Sequence, residues 1–147
     1  MTERSIVTEA DLAARLRLSV TRTARRLRQE AGTDLSPSMQ SALATIERRG
    51  PLTPSELADA ERIQRPTATR VIARLETDGL VERTGDPADR RVALLSITRP
   101  GADLMQRLRK RKNVYLARRL RDMPAEDLAA LERAADVLER MLEDERK

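Results

Sequence analysis

Four polar side chains near the middle of the chain have the types and spacing of a base-reading surface: Thr67, Thr69, Arg70 and Arg74. An arginine can bridge the O6 and N7 atoms of guanine, and a threonine can contact the methyl group of thymine. On a helix, at about 100° per residue, the two arginines and Thr69 point away from the apolar side. The alternative interpretation is that Arg70 and Arg74 lie on an ordinary solvated face.

A second group, Asp89, Arg90 and Arg91, ends a loop that begins at Gly85 and is dense in turn-forming residues. An arginine at the tip of such a loop can enter a narrow minor groove, where the negative potential is greatest. Asp89 lies two residues before Arg91 and can pair with it through a bidentate bridge. We interpret Asp89 as the residue that orients this arginine, not as a catalytic acid. The alternative is an exposed loop ion pair of little energetic value.

The segment before these groups predicts a helix, a tight turn and a second helix. Thr53 and Glu56 form a capping-box pair, which predicts a short helix from Pro54 to about Ala60. The pattern breaks at residues 61–64, and Pro66 can open the second helix. One apolar stripe follows on that helix: Ala68, Val71, Ile72 and Leu75. This order is typical of a helix-turn-helix, whose second helix enters the major groove.

A short hairpin is predicted directly after the second helix. Asp78 and Gly79 end that helix, with Gly79 as a left-handed cap. Residues 80–84 and 92–98 are strand candidates rich in aliphatic and β-branched side chains, and the basic loop lies between them. A helix-turn-helix followed by a hairpin with a basic tip is a winged helix. The residues predicted to contact DNA are Arg62, Gln64, Arg65, Pro66, Thr67, Thr69, Arg70 and Arg74 on the helix side, and Asp89, Arg90 and Arg91 on the wing.

This stretch resembles the winged helix of the MarR family of bacterial transcription regulators. The resemblance covers about a third of the chain by motif and the whole chain by element order. The shared pattern consists of Glu56-Leu57-Ala58, Pro66-Thr67, Thr69-Arg70, Arg74-Leu75-Glu76, Gly79-Leu80-Val81, Asp86-Pro87-x-Asp89-Arg90-Arg91 and Leu95-x-Ile97-Thr98-x-x-Gly101.

The resemblance implies a dimer that is all-α apart from the wing. Most members repress genes and release DNA when a small, often aromatic acid binds or a cysteine is oxidised. It also implies an effector pocket between the dimerisation helices and the winged helix, built from the first, second and fifth helices. Because Tyr115 is the only aromatic residue, three alternatives stay open: an aliphatic effector, an effector held by aliphatic and arginine side chains, or no effector.

The composition narrows the possible functions. With 147 residues the chain is one domain by length, and it contains no cysteine and no histidine. This excludes zinc sites of the usual type, disulfides, thiol nucleophiles and histidine acid–base chemistry, and with them the cysteine-based sensors of the family. No paired carboxylates, nucleophile–base pair or phosphate-binding glycine loop is evident, so we expect no enzyme, cofactor or metal.

The chain has no apolar run long enough to cross a membrane and no apolar segment near its N-terminus that is typical of a secretion signal. A cytoplasmic location is therefore expected, with no membrane partner. The net charge of +5 is unevenly distributed. Residues 99–121 contain nine arginines and lysines and one acid, whereas residues 122–147 contain nine acids and four bases. The basic segment could meet nucleic acid or the acidic tail of a partner chain.

Long helices are predicted on both sides of the winged helix. The first runs from about Val7 to Ala31, and a second begins at Pro37, capped by Ser36, and ends at Gly50. After the wing, residues 99 to about 121 and about 125–144 form two more. The expected fold is mainly α, an α+β winged helix of about six helices with a two-stranded wing, in a single domain of residues 1–147.

The apolar stripes of the first and last helices exceed what the small winged helix can cover. A two-fold homodimer would bury them. We therefore assign residues 1–35 and 99–147 to dimerisation and residues 36–98 to DNA binding. The predicted interface residues are Leu12, Leu16, Leu128, Leu131, Leu138 and Leu142.

Two functions remain in view. The favoured hypothesis is a sequence-specific, DNA-binding transcriptional regulator, specifically a ligand-responsive repressor that binds a pseudo-palindromic operator in double-stranded DNA as a homodimer, with a possible small-molecule effector. The alternative is a winged-helix protein-interaction module whose basic face contacts an acidic protein. Steep weakening of binding with salt would favour DNA, because phosphate contacts release counterions.

Overall fold

The computed structural model describes residues 7–144. In this range the chain forms six helices and one two-stranded sheet, which confirms the predicted winged-helix fold. The elements in order are α1 (Glu9–Ala31), α2 (Pro37–Arg49), α3 (Pro54–Glu61), α4 (Arg65–Thr77), β1 (Val81–Gly85), β2 (Ala93–Ile97), α5 (Arg99–Leu120) and α6 (Ala125–Asp144). No helix in the described range is long and apolar enough to cross a membrane.

Helix starts follow the predicted caps. The hydroxyl oxygens of Ser36 and Thr53 accept hydrogen bonds from the third backbone N–H of α2 and α3, and the Thr53–Glu56 capping box is complete. The prediction that α1 begins near Val7 was two residues early, because Thr8 acts as the cap and accepts from the backbone N–H of Asp11 at 3.1 Å.

Three other elements have boundaries that differ from the prediction by one residue. Helix α4 begins at Arg65 and not at Pro66, which occupies its second position. Strand β1 runs one residue later than predicted, and β2 is one residue shorter at each end. The strands pair antiparallel from Val81 opposite Ile97 to Gly85 opposite Ala93.

By their contacts the described residues fall into two compact units, the first ending at Lys112 and the second beginning at Asn113, both within α5. The first unit contains the hydrophobic core, which joins α2, α3, α4 and β2. Its largest fully buried side chains are Leu43, Ile46, Leu57, Ile72, Leu75 and Leu95. The predicted stripe of α4 is confirmed, with Val71 half-buried and the other three members buried.

An isolated backbone bridge to β2 was not predicted. The backbone of Leu52 pairs with that of Leu95, with N–O distances of 3.1 and 2.7 Å, and so ties the α2–α3 connection to the wing. Gly101 at the start of α5 also has a structural reason. A Cβ atom there would overlap the carbonyl oxygen of Leu80 and the side chain of Ile97, so only glycine lets α5 approach the hairpin.

The terminal helices contain almost no fully buried residue. In α1, Ala31 is the one buried residue, and Leu12 and Leu16 are 55% and 37% exposed. In α6 no residue is buried, and Leu142 is 59% exposed. Leu128 and Leu131 are also exposed, and Leu138 is half-buried. Both helices therefore leave the apolar stripes that were assigned to dimerisation open to solvent.

Candidate nucleic-acid interface

The turn between α3 and α4 depends on an arginine in an unusual backbone conformation. Arg62 has φ +52° and ψ +44°, the left-handed region that non-glycine residues rarely adopt. The N–H of Ile63 then returns to the carbonyl of Ala58 at 3.0 Å, which closes the end of α3. Sequence reasoning missed this turn residue because glycine or asparagine is the usual signal for such a cap.

The core fixes the rotation of α4 about its own axis. Because Ala68, Ile72 and Leu75 are buried, the opposite side faces solvent. Thr67 is the exception among the predicted contact residues, since it is half-buried. The exposed members of the set on α4 and its preceding turn are Arg62, Gln64, Arg65, Pro66, Thr69, Arg70 and Arg74.

Hydrogen bonds on the exposed face distinguish its side chains. The hydroxyl of Thr69 donates to the carbonyl of Arg65 at 3.0 Å, which leaves its methyl group and its oxygen lone pairs for a ligand. The guanidinium of Arg74 pairs with Asp78 at 3.2 Å. Within the described residues, Arg62, Arg65 and Arg70 belong to no ion pair, so Arg70 differs from Arg74 in having a guanidinium without an acidic partner.

The N-terminus of α4 differs from those of α1, α2 and α3. Thr8, Ser36 and Thr53 cap those helices through their side chains, whereas the cap residue Gln64 makes no such hydrogen bond. The N–H groups of Arg65 and Thr67 therefore receive no side-chain cap from Gln64, and Pro66 between them has no N–H. Helix N-termini with free N–H groups and a positive dipole end attract phosphate oxygens.

The loop between the strands is folded by its aspartates. The N–H of Asp86 donates to the carbonyl of Val92 at 2.9 Å, and the carboxylate of Asp86 accepts from the N–H of Ala88 at 2.9 Å. The N–H of Val92 donates to the carbonyl of Asp89 at 3.0 Å. These bonds close the loop and place residues 89–91 at one end of the hairpin.

Asp89 and Arg91 form the predicted bidentate pair. The Nε and one terminal nitrogen of Arg91 donate to the two carboxylate oxygens at 3.1 and 3.2 Å, and the backbone N–H of Arg91 donates at 3.1 Å. The side-chain and backbone hydrogen bonds from Arg91 lower the pKa of the Asp89 carboxyl. The Arg91 side chain is 91% exposed against 41% for Asp89, so the carboxylate holds a guanidinium that extends into solvent.

An ion pair that was not predicted joins α4 to the wing. The Nε of Arg83 on β1 donates to Glu76 on α4 at 2.7 Å. Both residues lay within recognised stretches of sequence, but seven positions and an element boundary separate them. No periodicity within one helix or strand could reveal the contact.

A cleft is lined by residues of α1, α2, the connection between them and α5 as far as Lys112. It comprises two adjoining hollows of about 350 and 300 Å³ that share Arg28, Pro37 and Gln40. Arg25 lines the first hollow and Lys112 the second, and neither hollow has an acidic residue in its lining. The remaining lining residues include Leu27, Leu35, Ala44 and Met105. The cleft therefore combines aliphatic side chains with the cations Arg25, Arg28 and Lys112 and with the uncharged polar side chains of Gln29, Thr33, Gln40 and Ser41.

Comparison with known proteins places this geometry in context. The sequence model described as the MarR family matches residues 35–93. An uncharacterised HTH-type transcriptional regulator of Mycobacterium leprae is 36% identical over 137 residues, which cover 92% of this chain and 96% of that protein. A crystal structure of a transcriptional regulator protein from Pseudomonas aeruginosa is 34% identical, with a TM-score of 0.81, covering 92% of this chain and 97% of the other.

A structure determined with DNA shares the fold. FabT of Streptococcus pneumoniae, crystallised in complex with DNA, matches with a TM-score of 0.68 over 90% of this chain and 98% of that one. Its sequence identity is 21%, so this likeness concerns the fold alone.

Proposed function

We propose that this chain, which belongs to the MarR family of transcriptional regulators, acts as a homodimeric repressor that binds a pseudo-palindromic operator. Regulators of this family bind DNA and are not enzymes. The observation that supports the finer proposal is the exposed, largely unpaired cationic face of α4 beside a wing tip whose arginine is held outward. A surface that bound its partner through positive charge alone would not need one defined face of α4 to be exposed. It would also not need the bidentate pair between Asp89 and Arg91.

The face of α4 is proposed to read bases in the major groove. Arg70 is the candidate for guanine, and Thr69 presents a methyl group suited to thymine. Arg74 would exchange its intrahelical partner Asp78 for a base or phosphate oxygen. The residues assigned to the DNA backbone are Arg62, Gln64, Arg65, Pro66 and the half-buried Thr67, all near the N-terminus of α4.

The wing is proposed to add a second, flanking contact. Arg91 would enter the minor groove, with Asp89 fixing its direction and Arg90 neutralising a phosphate nearby. Arginine inserted into a narrow minor groove reads the width of the groove, which depends on sequence. The two contacts together would span more of each half-site than α4 alone.

The exposed stripes of α1 and α6 support the homodimer. Their leucines would be buried by the same helices of a second copy, and a two-fold arrangement presents two α4 helices to DNA. Such a dimer binds half-sites about 10 bp apart, or a multiple of that distance. A regulator of bacterial transcription meets its operator in the cytoplasm, which is the location we propose.

The cleft between α1 and α2 supports response to an effector. Its volume suits a small molecule, and a lining that combines three cations with aliphatic and uncharged polar side chains, without an acid, favours an organic anion. Because the lining contains no aromatic residue, we propose that arginine and aliphatic side chains hold this anion. Binding there would alter the spacing of α1 and α2 and thereby the dimer's fit to DNA.

Selection of genomic DNA fragments by the purified protein tests the function. The protein is expected to retain one or a few inverted-repeat sites, and its affinity for them should fall linearly with the logarithm of salt concentration. A variant with Arg70→Ala and Arg91→Ala is the negative control, and Arg48→Ala with Arg49→Ala, exposed at the end of α2, removes the same charge elsewhere. Equal retention of all fragments by the native protein would contradict sequence-specific binding, and retention of none would favour the protein-interaction alternative.

A further inference from the structure

Helix α6 carries an acidic stripe along one border of its apolar face. Glu132, Asp136, Glu139 and Glu143 recur at spacings of four, three and four residues, so they share one side of the helix. None of them belongs to an ion pair within the described part of the chain. Like charges four residues apart repel and destabilise a helix, so this stripe is unfavourable unless cations approach it.

Helix α1 carries the opposite charge beside its own apolar face. Between Leu12 and Gln29 it has six arginines and no acid. Among those residues Arg26 is the one with an observed ion-pair partner, Glu30 at 2.7 Å. Arg15 and Arg22 are exposed and lie seven residues apart on one side of the helix.

The two charged rows have the same repeat. Glu132 and Glu139 are separated by seven residues, as are Arg15 and Arg22. Both intervals correspond to about 10 Å along a helix. Each row lies beside leucines that are exposed, such as Leu12 at 55% on α1 and Leu131 at 47% on α6. The chain thus contains two uncovered apolar faces with borders of opposite charge.

We propose that the acidic border of α6 docks on the arginine border of α1 in a second copy of this chain. The opposite charges of the two borders would then select an identical chain as the partner. The two-fold symmetry of a homodimer makes this contact twice, once from each chain. Related regulators with the same fold but another charge pattern would meet like charges and be rejected. The inference rests on the proposed homodimer and adds the chemistry that determines which chains pair.

Reciprocal charge reversal tests the proposal. The acid swap carries Glu132→Lys and Glu139→Lys, and the base swap carries Arg15→Glu and Arg22→Glu. Alone, each places like charges at both contacts, and we expect its dimer dissociation constant to rise by about tenfold or more at low salt. Mixed one to one, the two variants restore opposite charges at both contacts, and native mass spectrometry should show mainly the heterodimer.

The controls separate this contact from net charge and from folding. Asp59→Lys with Glu82→Lys changes the net charge as the acid swap does, at exposed sites on α3 and β1 outside the segments assigned to dimerisation, and should dimerise like the native chain. The base swap lowers the positive net charge of the chain. If general repulsion between two copies governed dimerisation, this change would tighten the dimer, whereas the proposal requires that the dimer weaken. Circular dichroism checks that each variant keeps its helices.

The remaining outcomes are decisive. Swapped variants that dimerise with native affinity, or that dissociate but form no heterodimer when mixed, would overturn charge selection and leave the proposed homodimer intact. A base swap that alone left the dimer unchanged would mean that the α1 arginines serve a different, acidic partner. A native chain that stays monomeric at all concentrations would overturn the homodimer itself.

Discussion

Helix α4 and the wing tip each expose an arginine, but different interactions orient the two side chains. Arg70 on α4 has its direction set by three buried residues on the opposite side of the helix, which belong to the main core. Arg91 on the wing has no core beneath it and is directed by one carboxylate two residues away. The orientation of Arg70 therefore depends on packing of the core, and that of Arg91 depends on a local ion pair. We expect different substitutions to disrupt the two proposed DNA contacts.

The largest effect is expected from the core beneath α4. Ile72→Ala removes a fully buried side chain and should lower the free energy of unfolding by about 2–5 kcal/mol. Urea denaturation measures the loss, and Val71→Ala, at a half-buried neighbour, should cost clearly less. A comparable loss from the wing variant Arg91→Ala would remove the distinction between the two regions.

The next effect concerns base reading by α4. Arg70→Ala should weaken operator binding by roughly 1–3 kcal/mol and relax the preference at one base pair. Binding to a panel of single-base operator variants measures both quantities, with Arg48→Ala as the matched loss of charge. If native and altered operators lost affinity equally, Arg70 would be a phosphate contact and not a reader of bases.

The same contrast explains what the sequence could predict. The buried stripe of α4 repeats with the period of a helix, and Asp89 and Arg91 are nearly adjacent, so both arrangements could be inferred from local pattern. The Leu52–Leu95 pairing could not be inferred, because the two residues between Pro51 and Pro54 are too few to carry a strand signal. The left-handed turn at Arg62 could not be predicted, because arginine rarely adopts that conformation. The lining of the cleft could not be predicted from local pattern, because its residues come from separate helices.

A smaller effect is expected at the wing tip. If only net charge mattered, Asp89→Ala would tighten binding, because it removes a negative charge beside DNA. We expect weaker binding instead, by about 1 kcal/mol, since a freed Arg91 must be ordered when the complex forms. Because Arg91 lowers the pKa of Asp89, the carboxylate is ionised and the pair intact at neutral pH. The ion pair between Asp89 and Arg91 would be lost only as the pH falls through that lowered pKa.

A double-mutant cycle gives the sharper reading of this pair. Asp89→Ala together with Arg91→Ala should bind little worse than Arg91→Ala alone, because the two residues act as a unit. Fluorescence anisotropy at one fixed salt concentration compares the four proteins. Tighter binding by Asp89→Ala, or additive effects, would show the wing to be a diffuse cationic loop.

The smallest effect should come from the ion pair that links the two regions. Glu76 and Arg83 are both partly exposed, so their contribution to folding should be about 0.5 kcal/mol or less. Because this pair joins α4 to β1, we expect it to restrict the angle at which the wing leaves α4. We therefore expect Arg83→Met to weaken operator binding by about twofold, with little further loss when Glu76→Gln is added.

Salt and a neighbouring charge separate this link from a general cationic contribution. The coupling between Glu76 and Arg83 should shrink as ionic strength rises, because exposed charges are screened. Glu82→Gln, an exposed acid beside Arg83 on β1 with no ion-pair partner among the described residues, removes the same charge as Glu76→Gln and should not weaken binding. If Glu76→Gln behaved like Glu82→Gln, the helix and the wing would act independently, and the core and the local Asp89–Arg91 pair would suffice to orient the two contacts.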